Sequence, residues 1–165
     1  MSRIVIIADP QLAAPWAESL TRDGHAVLTI EGGIGVQTLF DEDPFEIVIV
    51  EIDKPDAGES MLVPQVRATW PNCKVIAVVT DFGFRRSAVF EMGLWTPDQV
   101  LIKPLAPRLL RATVSFLSAQ IRSKELREFV NNDVAQFQRH LDAFRARRRD
   151  ESGSAEIINL QPQNL

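Results

Sequence analysis

Five polar residues stand where short apolar runs end. Asp9 follows Ile4–Ala8, Glu51 and Asp53 close Ile47–Ile52, Thr80 follows Val75–Val79, and Lys103 follows Val100–Ile102. Carboxylates hold a hard divalent cation, while an ammonium and a hydroxyl meet phosphate oxygens. Brought to one rim, these groups support metal binding and the handling of a phosphoryl group. Polar residues also collect wherever strands emerge into loops, so the spacing of all five against Lys103-Pro104 says more than any one of them. Other chemistries are poorly provided for. Two histidines and the single Cys73 exclude an intramolecular disulfide framework and a multi-cysteine zinc site. Ser60, Ser87 and Thr80 have no histidine in view, so no serine-type nucleophile is expected. Gly32-Gly33-Ile34-Gly35 follows the second run, not the first, and lacks a P-loop lysine. His25 reads as edge packing and Cys73 as a bystander.

The elements that must position the rim are legible in the same runs. Ile4–Ala8, Ala26–Ile30, Ile47–Ile52, Val75–Val79 and Val100–Ile102 are rich in Val and Ile, mostly apolar at consecutive positions. Such runs are strands buried on both faces, as in parallel sheets. Helix-period segments lie between them: Ala13, Ala14, Trp16, Ala17 and Leu20, then Val36, Leu39 and Phe40, then Met61, Leu62, Val66 and Trp70, then Ala88, Val89 and Met92. Gly24, Pro71 and Gly93 stop the first, third and fourth. Strand and helix alternate five times, which predicts an α/β fold: a doubly wound parallel five-stranded sheet of flavodoxin-like (βα)5 type, strand order 2-1-3-4-5. In that fold ligands sit at the carboxyl ends of the strands, where the five polar residues fall.

Four of these stretches carry a resemblance. Arg3–Asp9, Asp43–Pro55, Lys74–Thr80 and Val100–Leu105 resemble the first, third, fourth and fifth strands of the receiver domain of two-component response regulators, over about residues 1–120. The resemblance implies a phosphoacceptor aspartate four residues before Pro55, an acidic pair at the end of the first strand, a switch hydroxyl after the fourth, and the Lys103-Pro104 pair. The chain departs from this pattern. Ala8 replaces the first acid and leaves Asp9, the phosphoacceptor position holds Glu51, and Val100 stands at an often aromatic switch position. The switch hydroxyl falls on Val79 by an ungapped count, with Thr80 one residue late. The chain therefore resembles the atypical or pseudo-receivers of phosphorelay signalling.

Glutamate places its carboxylate about 1.5 Å further out than aspartate, and a misplacement of about 1 Å costs in-line transfer roughly 10²-fold. Four readings follow. Glu51 and Lys103 form an ion pair that fixes one conformation; or Asp9, Glu51 and Asp53 keep a weak Mg²⁺ site; or Asp53 or Asp9 accepts phosphate; or the site is vestigial and the fold is a scaffold. The first implies a non-enzymatic protein without a required cofactor, working by phosphorylation-independent contact with a sensor kinase or a downstream signalling protein. The alternatives are a phosphate-shuttling receiver and an inert scaffold whose helix recruits a partner.

Arg108–Arg149 contains neither Gly nor Pro, whereas nine of the ten prolines precede it. Leu109, Leu110, Thr113, Phe116, Leu117 and Gln120 are expected to pack on the sheet. Leu126, Val130, Val134, Phe137, Leu141 and Phe144 then continue at spacings of 4, 4, 3, 4 and 3, the seam of a coiled coil. Unbroken, these 42 residues run about 63 Å, and the exposed stripe needs a partner. A homodimer is expected, with folding back at Asn131-Asn132 or docking on another protein as alternatives. The boundaries are 1–121 for the receiver-like domain, 122–149 for a helical extension continuous with the fifth helix, and 150–165 for a disordered tail. Arg145, Arg147, Arg148 and Arg149 would cap the helix C-terminus.

The 165 residues carry a net charge of −4, with 45% hydrophobic and 24% charged residues. Residues 1–105 hold 8 basic and 15 acidic residues, and residues 106–165 hold 10 and 7. Nucleic-acid binding is thus not expected, and no apolar run approaches the roughly 20 residues of a membrane span. A cytoplasmic location is expected.

Overall fold

A computed structural model describes residues 1–32, 39, 43–53, 61–80 and 96–158, with side chains to Arg149. The chain separates into two compact units, Met1–Ile121 and Arg122–Leu165. In the first, strands β1 (Arg3–Ile7), β2 (Ala26–Ile30), β3 (Ile47–Ile52), β4 (Lys74–Val79) and β5 (Gln99–Ile102) form one parallel sheet in the order β2-β1-β3-β4-β5, as expected. Helices α1 (Pro10–Arg22), α2 (Leu62–Thr69) and the start of α3 (Pro107–Ile158) complete the described elements. The helices expected over Val36–Phe40 and Ala88–Met92 lie outside the described residues apart from Leu39, which is buried, as do Pro55 and most of the Gly32–Gly35 run.

Successive residues of a strand point to opposite faces, and both faces are covered. Ile4, Ile6, Ile47, Ile49, Ile76, Val78 and Leu101 pack with Ala13, Trp16 and Leu20 of α1 and Leu110, Val114 and Leu117 of α3. The intervening Val5, Ile7, Val48, Val50, Val75, Ala77 and Val79 pack with Leu62, Val63 and Val66 of α2 and with Trp70 and Cys73. This two-sided burial is why β1, β3 and β4 read as continuous apolar runs, whereas β2 at the edge is exposed or half-buried throughout. Asp9 starts α1: its side chain accepts the Gln11 N–H at 2.8 Å, and Pro10 takes the first helical position, where no N–H is needed. Gly24, at φ +88°, ends that helix in a backbone conformation that a Cβ disfavours.

The last helix corrects several expectations. Its buried face is Leu110, Val114, Leu117 and Ser118, whereas Leu109, Phe116 and Gln120 are exposed. Leu110 and Leu117 are buried as expected and Thr113 is half-buried, while Val114 completes the stripe in place of Leu109, Phe116 and Gln120. Asn131-Asn132 does not break the helix, and it continues through Ile158 where a disordered tail was expected from residue 150. The arginines 145 and 147–149 therefore lie within the helix and not at its C-terminus.

A polar buckle closes the amino ends of β4 and β5. Asp98 accepts the Val75 N–H at 2.8 Å, Arg67 Nη2 at 3.1 Å and Lys74 Nζ at 3.0 Å. Burial pushes its carboxyl up, but these three donors outweigh burial and hold it below the ordinary carboxylate value. Asp98→Ala is expected to cost about 2 kcal/mol at neutral pH, read by urea denaturation. A depressed folded pKa stabilises above the unfolded value and is lost as pH falls through the folded one, so the difference from the unmodified protein should narrow in acid.

Candidate functional site

The rim at the carboxyl ends of the strands is built by alternation and register. β3 pairs with β4 at Glu51–Val78 and Ile52–Val79, and β4 with β5 at Val79–Ile102. Glu51 follows Ile49 by two residues and Asp53 follows Glu51 by two, while Thr80 follows Val78 and Lys103 follows Leu101 in the same way. Each step of two returns to the same face, so all four extend the α1 side of the sheet.

Lys103 Nζ donates to Glu51 Oε1 and, at 2.5 Å, to Asp53 Oδ1. Thr80 Oγ1 donates to the same Asp53 oxygen at 2.7 Å. Glu51 Oε2 accepts the Asp9 backbone N–H at 2.8 Å. The side chains of Glu51 and Lys103 are 7% and 16% exposed, that of Asp53 51%. Burial pulls the Lys103 ammonium down, but its hydrogen bonds to Asp53 and Glu51 outweigh that and raise its pKa above the ordinary lysine value. The Lys103–Pro104 peptide is cis.

Both oxygens of Glu51 thus have donors from this chain, and the Lys103 ammonium lies against two carboxylates. Asp9 spends its side chain on capping α1, and Ala8 offers no ligand. Among the described residues no group of three or more His, Cys, Asp or Glu is arranged to hold a metal ion.

Val79 lies on the opposite face, fully buried in the α2-side core, and Val100 packs against that core too. The hydroxyl that reaches the rim is Thr80's. The seam residues Leu126, Val130, Val134, Phe137 and Phe144 are exposed and Leu141 is half-buried. Sequence reading missed the Asp98 buckle and the Arg111–Asp23 pair, in which Arg111 Nε and Nη2 donate to the two Asp23 oxygens at 2.6 and 2.5 Å and hold that carboxyl low. Both join residues distant in the chain, and the only signal was isolated charge beside an apolar run. His25 Nδ1 accepts the Ser2 N–H at 3.2 Å, and Cys73 is buried.

No family model matches the chain, and no curated protein matches it. Solved structures do. A CheY-like response regulator receiver domain from Methanospirillum hungatei is 22% identical with a TM-score of 0.62, over 74% of this chain and 98% of that one. The response regulator TrrA of Thermotoga maritima, solved with Mg²⁺ and beryllofluoride, is 21% identical with a TM-score of 0.60, over 71% and 99%. TrrA has also been solved in complex with the histidine kinase ThkA. At these identities the likeness establishes a receiver-domain fold.

Lys103→Met removes the donor shared by Glu51 and Asp53. A loss of about 2 kcal/mol is expected in urea denaturation at neutral pH, less than for a sealed pair because the site is open at Asp53. A raised folded pKa stabilises below the ordinary value of 10.5 and is lost as pH rises through the folded one. The deficit should therefore shrink in strong alkali, as the ammonium loses its proton.

Proposed function

We propose that this chain is a receiver-fold protein of two-component signal transduction that works without being phosphorylated, by protein–protein contact, and that it is not an enzyme. One observation carries the reading: the carboxylate at the phosphoacceptor position has both oxygens bonded within the chain, Oε1 to Lys103 and Oε2 to the Asp9 N–H. An attacking oxygen needs a lone pair aimed at phosphorus, with cations on the phosphoryl oxygens. Here the Lys103 charge is directed at the would-be nucleophile and at Asp53. The ammonium does the work of a divalent cation, so no cofactor is required. A single rim conformation then presents a constant surface to its partner, a sensor kinase or a downstream signalling protein, and the ThkA complex of TrrA supports the kinase. A cytoplasmic location accords with the fold, and among the described residues no helix is long and apolar enough to cross a membrane.

The second half of the reading is a homodimer through residues 122–149. Phe137 is 65% exposed, in a stripe with Leu126, Val130, Val134 and Phe144. These residues fall in the second unit, Arg122–Leu165, and an exposed apolar stripe of this length calls for an apolar partner.

Acetyl phosphate with Mg²⁺ should give no adduct by intact mass. A stoichiometric adduct that survives Glu51→Gln and vanishes in Asp53→Asn would instead make the protein a phosphate carrier through Asp53. In sedimentation velocity the full-length protein should run as a dimer and Phe137→Glu as a monomer.

A further inference from the structure

The segment 127–144 has a symmetry that the dimer can use. Within the seam, Val130, Val134, Phe137 and Leu141 are separated by steps of 4, 3 and 4, with Arg127, beside Leu126, three residues before Val130 and Phe144 three residues after Leu141. Read from either end the spacing is the same, so a reversed copy presents its seam in register. We propose that the second copy docks antiparallel, about a two-fold axis between Ala135 and Gln136; this rests on the homodimer reading above. Val134 then faces Phe137 of the second copy, Val130 faces Leu141, and Arg127 faces Phe144.

Size and charge both choose this arrangement over a parallel one. A parallel, in-register pair stacks Phe137 on Phe137 and Phe144 on Phe144, and brings Arg127 onto Arg127 and Arg148 onto Arg148 within the seam. Reversal sets each phenylalanine against a smaller or longer, thinner side chain, the large-against-small pattern of a filled core. It also lays the Arg127 guanidinium against an aromatic ring, an attractive contact in place of a like-charge one. Phe144 already accepts such a contact, with the Arg148 guanidinium 5.6 Å from its ring centre. Along the whole helix the contrast is larger. Residues 122–135 hold three basic and three acidic residues, and residues 136–149 hold five arginines and one aspartate. Parallel pairing abuts two basic halves, whereas antiparallel pairing lays each basic half along a neutral one. On the flank it puts Asp133 opposite His140 of the second copy. The two phenylalanines offer about 300–500 Å² per helix, roughly half of the ~800 Å² per partner in a standard interface.

The test is disulfide trapping in the full-length protein. Val130→Cys and Leu141→Cys change exposed or half-buried helix positions outside the compact unit, and one variant carries a size tag. The native Cys73 is buried, with its thiol pushed up to about 11 by desolvation, so mild oxidation leaves it aside. After mixing and subunit exchange, the mixed product, a V130C chain joined to an L141C chain, should exceed either like-with-like product at least fivefold. Dominant like-with-like products, V130C joined to V130C and L141C to L141C, would overturn the antiparallel arrangement and leave the dimer standing. Monomers in sedimentation with no cross-link would overturn the dimer as well. Co-flotation of those monomers with phosphatidylserine vesicles would assign the stripe to a lipid surface instead.

Discussion

A carboxylate at the end of a strand whose every residue is buried must be neutralised on the spot. That constraint sets the rim of this protein. β3 is the central strand, and Glu51 is its only polar residue. Water reaches little of Glu51, so its charge needs donors fixed by the fold. The fold supplies them from two neighbouring elements: the Asp9 N–H, where β1 turns into α1, and Lys103, where β5 ends. Asp9 is held by its own capping bond, so the start of α1, the end of β3 and the end of β5 share one connected set of hydrogen bonds. Asp53 and Thr80 extend it outward and are the part that solvent sees.

An ion pair and a metal site place different demands on the same rim. A divalent cation gathers oxygen ligands around a point, while an ammonium donates along three directions and is tied to its own backbone by a side chain. The first gives a site that can be filled and emptied; the second gives one arrangement built into the chain. Glu51 meets Lys103 from the end of β3, and Ala8 beside Asp9 adds no further negative charge to the rim. The pair is not evidence of great stability, since desolvating two charges consumes most of their attraction.

Much of this was legible before any coordinates. The β-branched runs located all five strands to within a residue, because burial on both faces leaves few polar positions in the inner strands. The two-residue period then decides what counting along a motif could not: Val79 belongs to the α2 side and Thr80 to the rim. The face of α3 was misjudged because Leu109 and Phe116 are as apolar as Leu110 and Val114, and only the docked helix fixes the phase. The Asp98 buckle and the Arg111–Asp23 pair were invisible for a different reason. Each depends on two segments brought together by the sheet, and no local pattern announces a long-range charge contact.

Leu110, Val114 and Leu117 belong to the same core cluster as Ile4 and Ile6, at the opposite end of the domain's sequence. During synthesis, the face of the sheet begun by the first strand therefore stays incomplete until nearly the whole domain has left the ribosome. The apolar stripe beyond residue 121 emerges directly after it. A nascent chain thus exposes two apolar surfaces in quick succession, the first of them closed only when the start of α3 arrives. The order in which they are covered is written into the chain's direction.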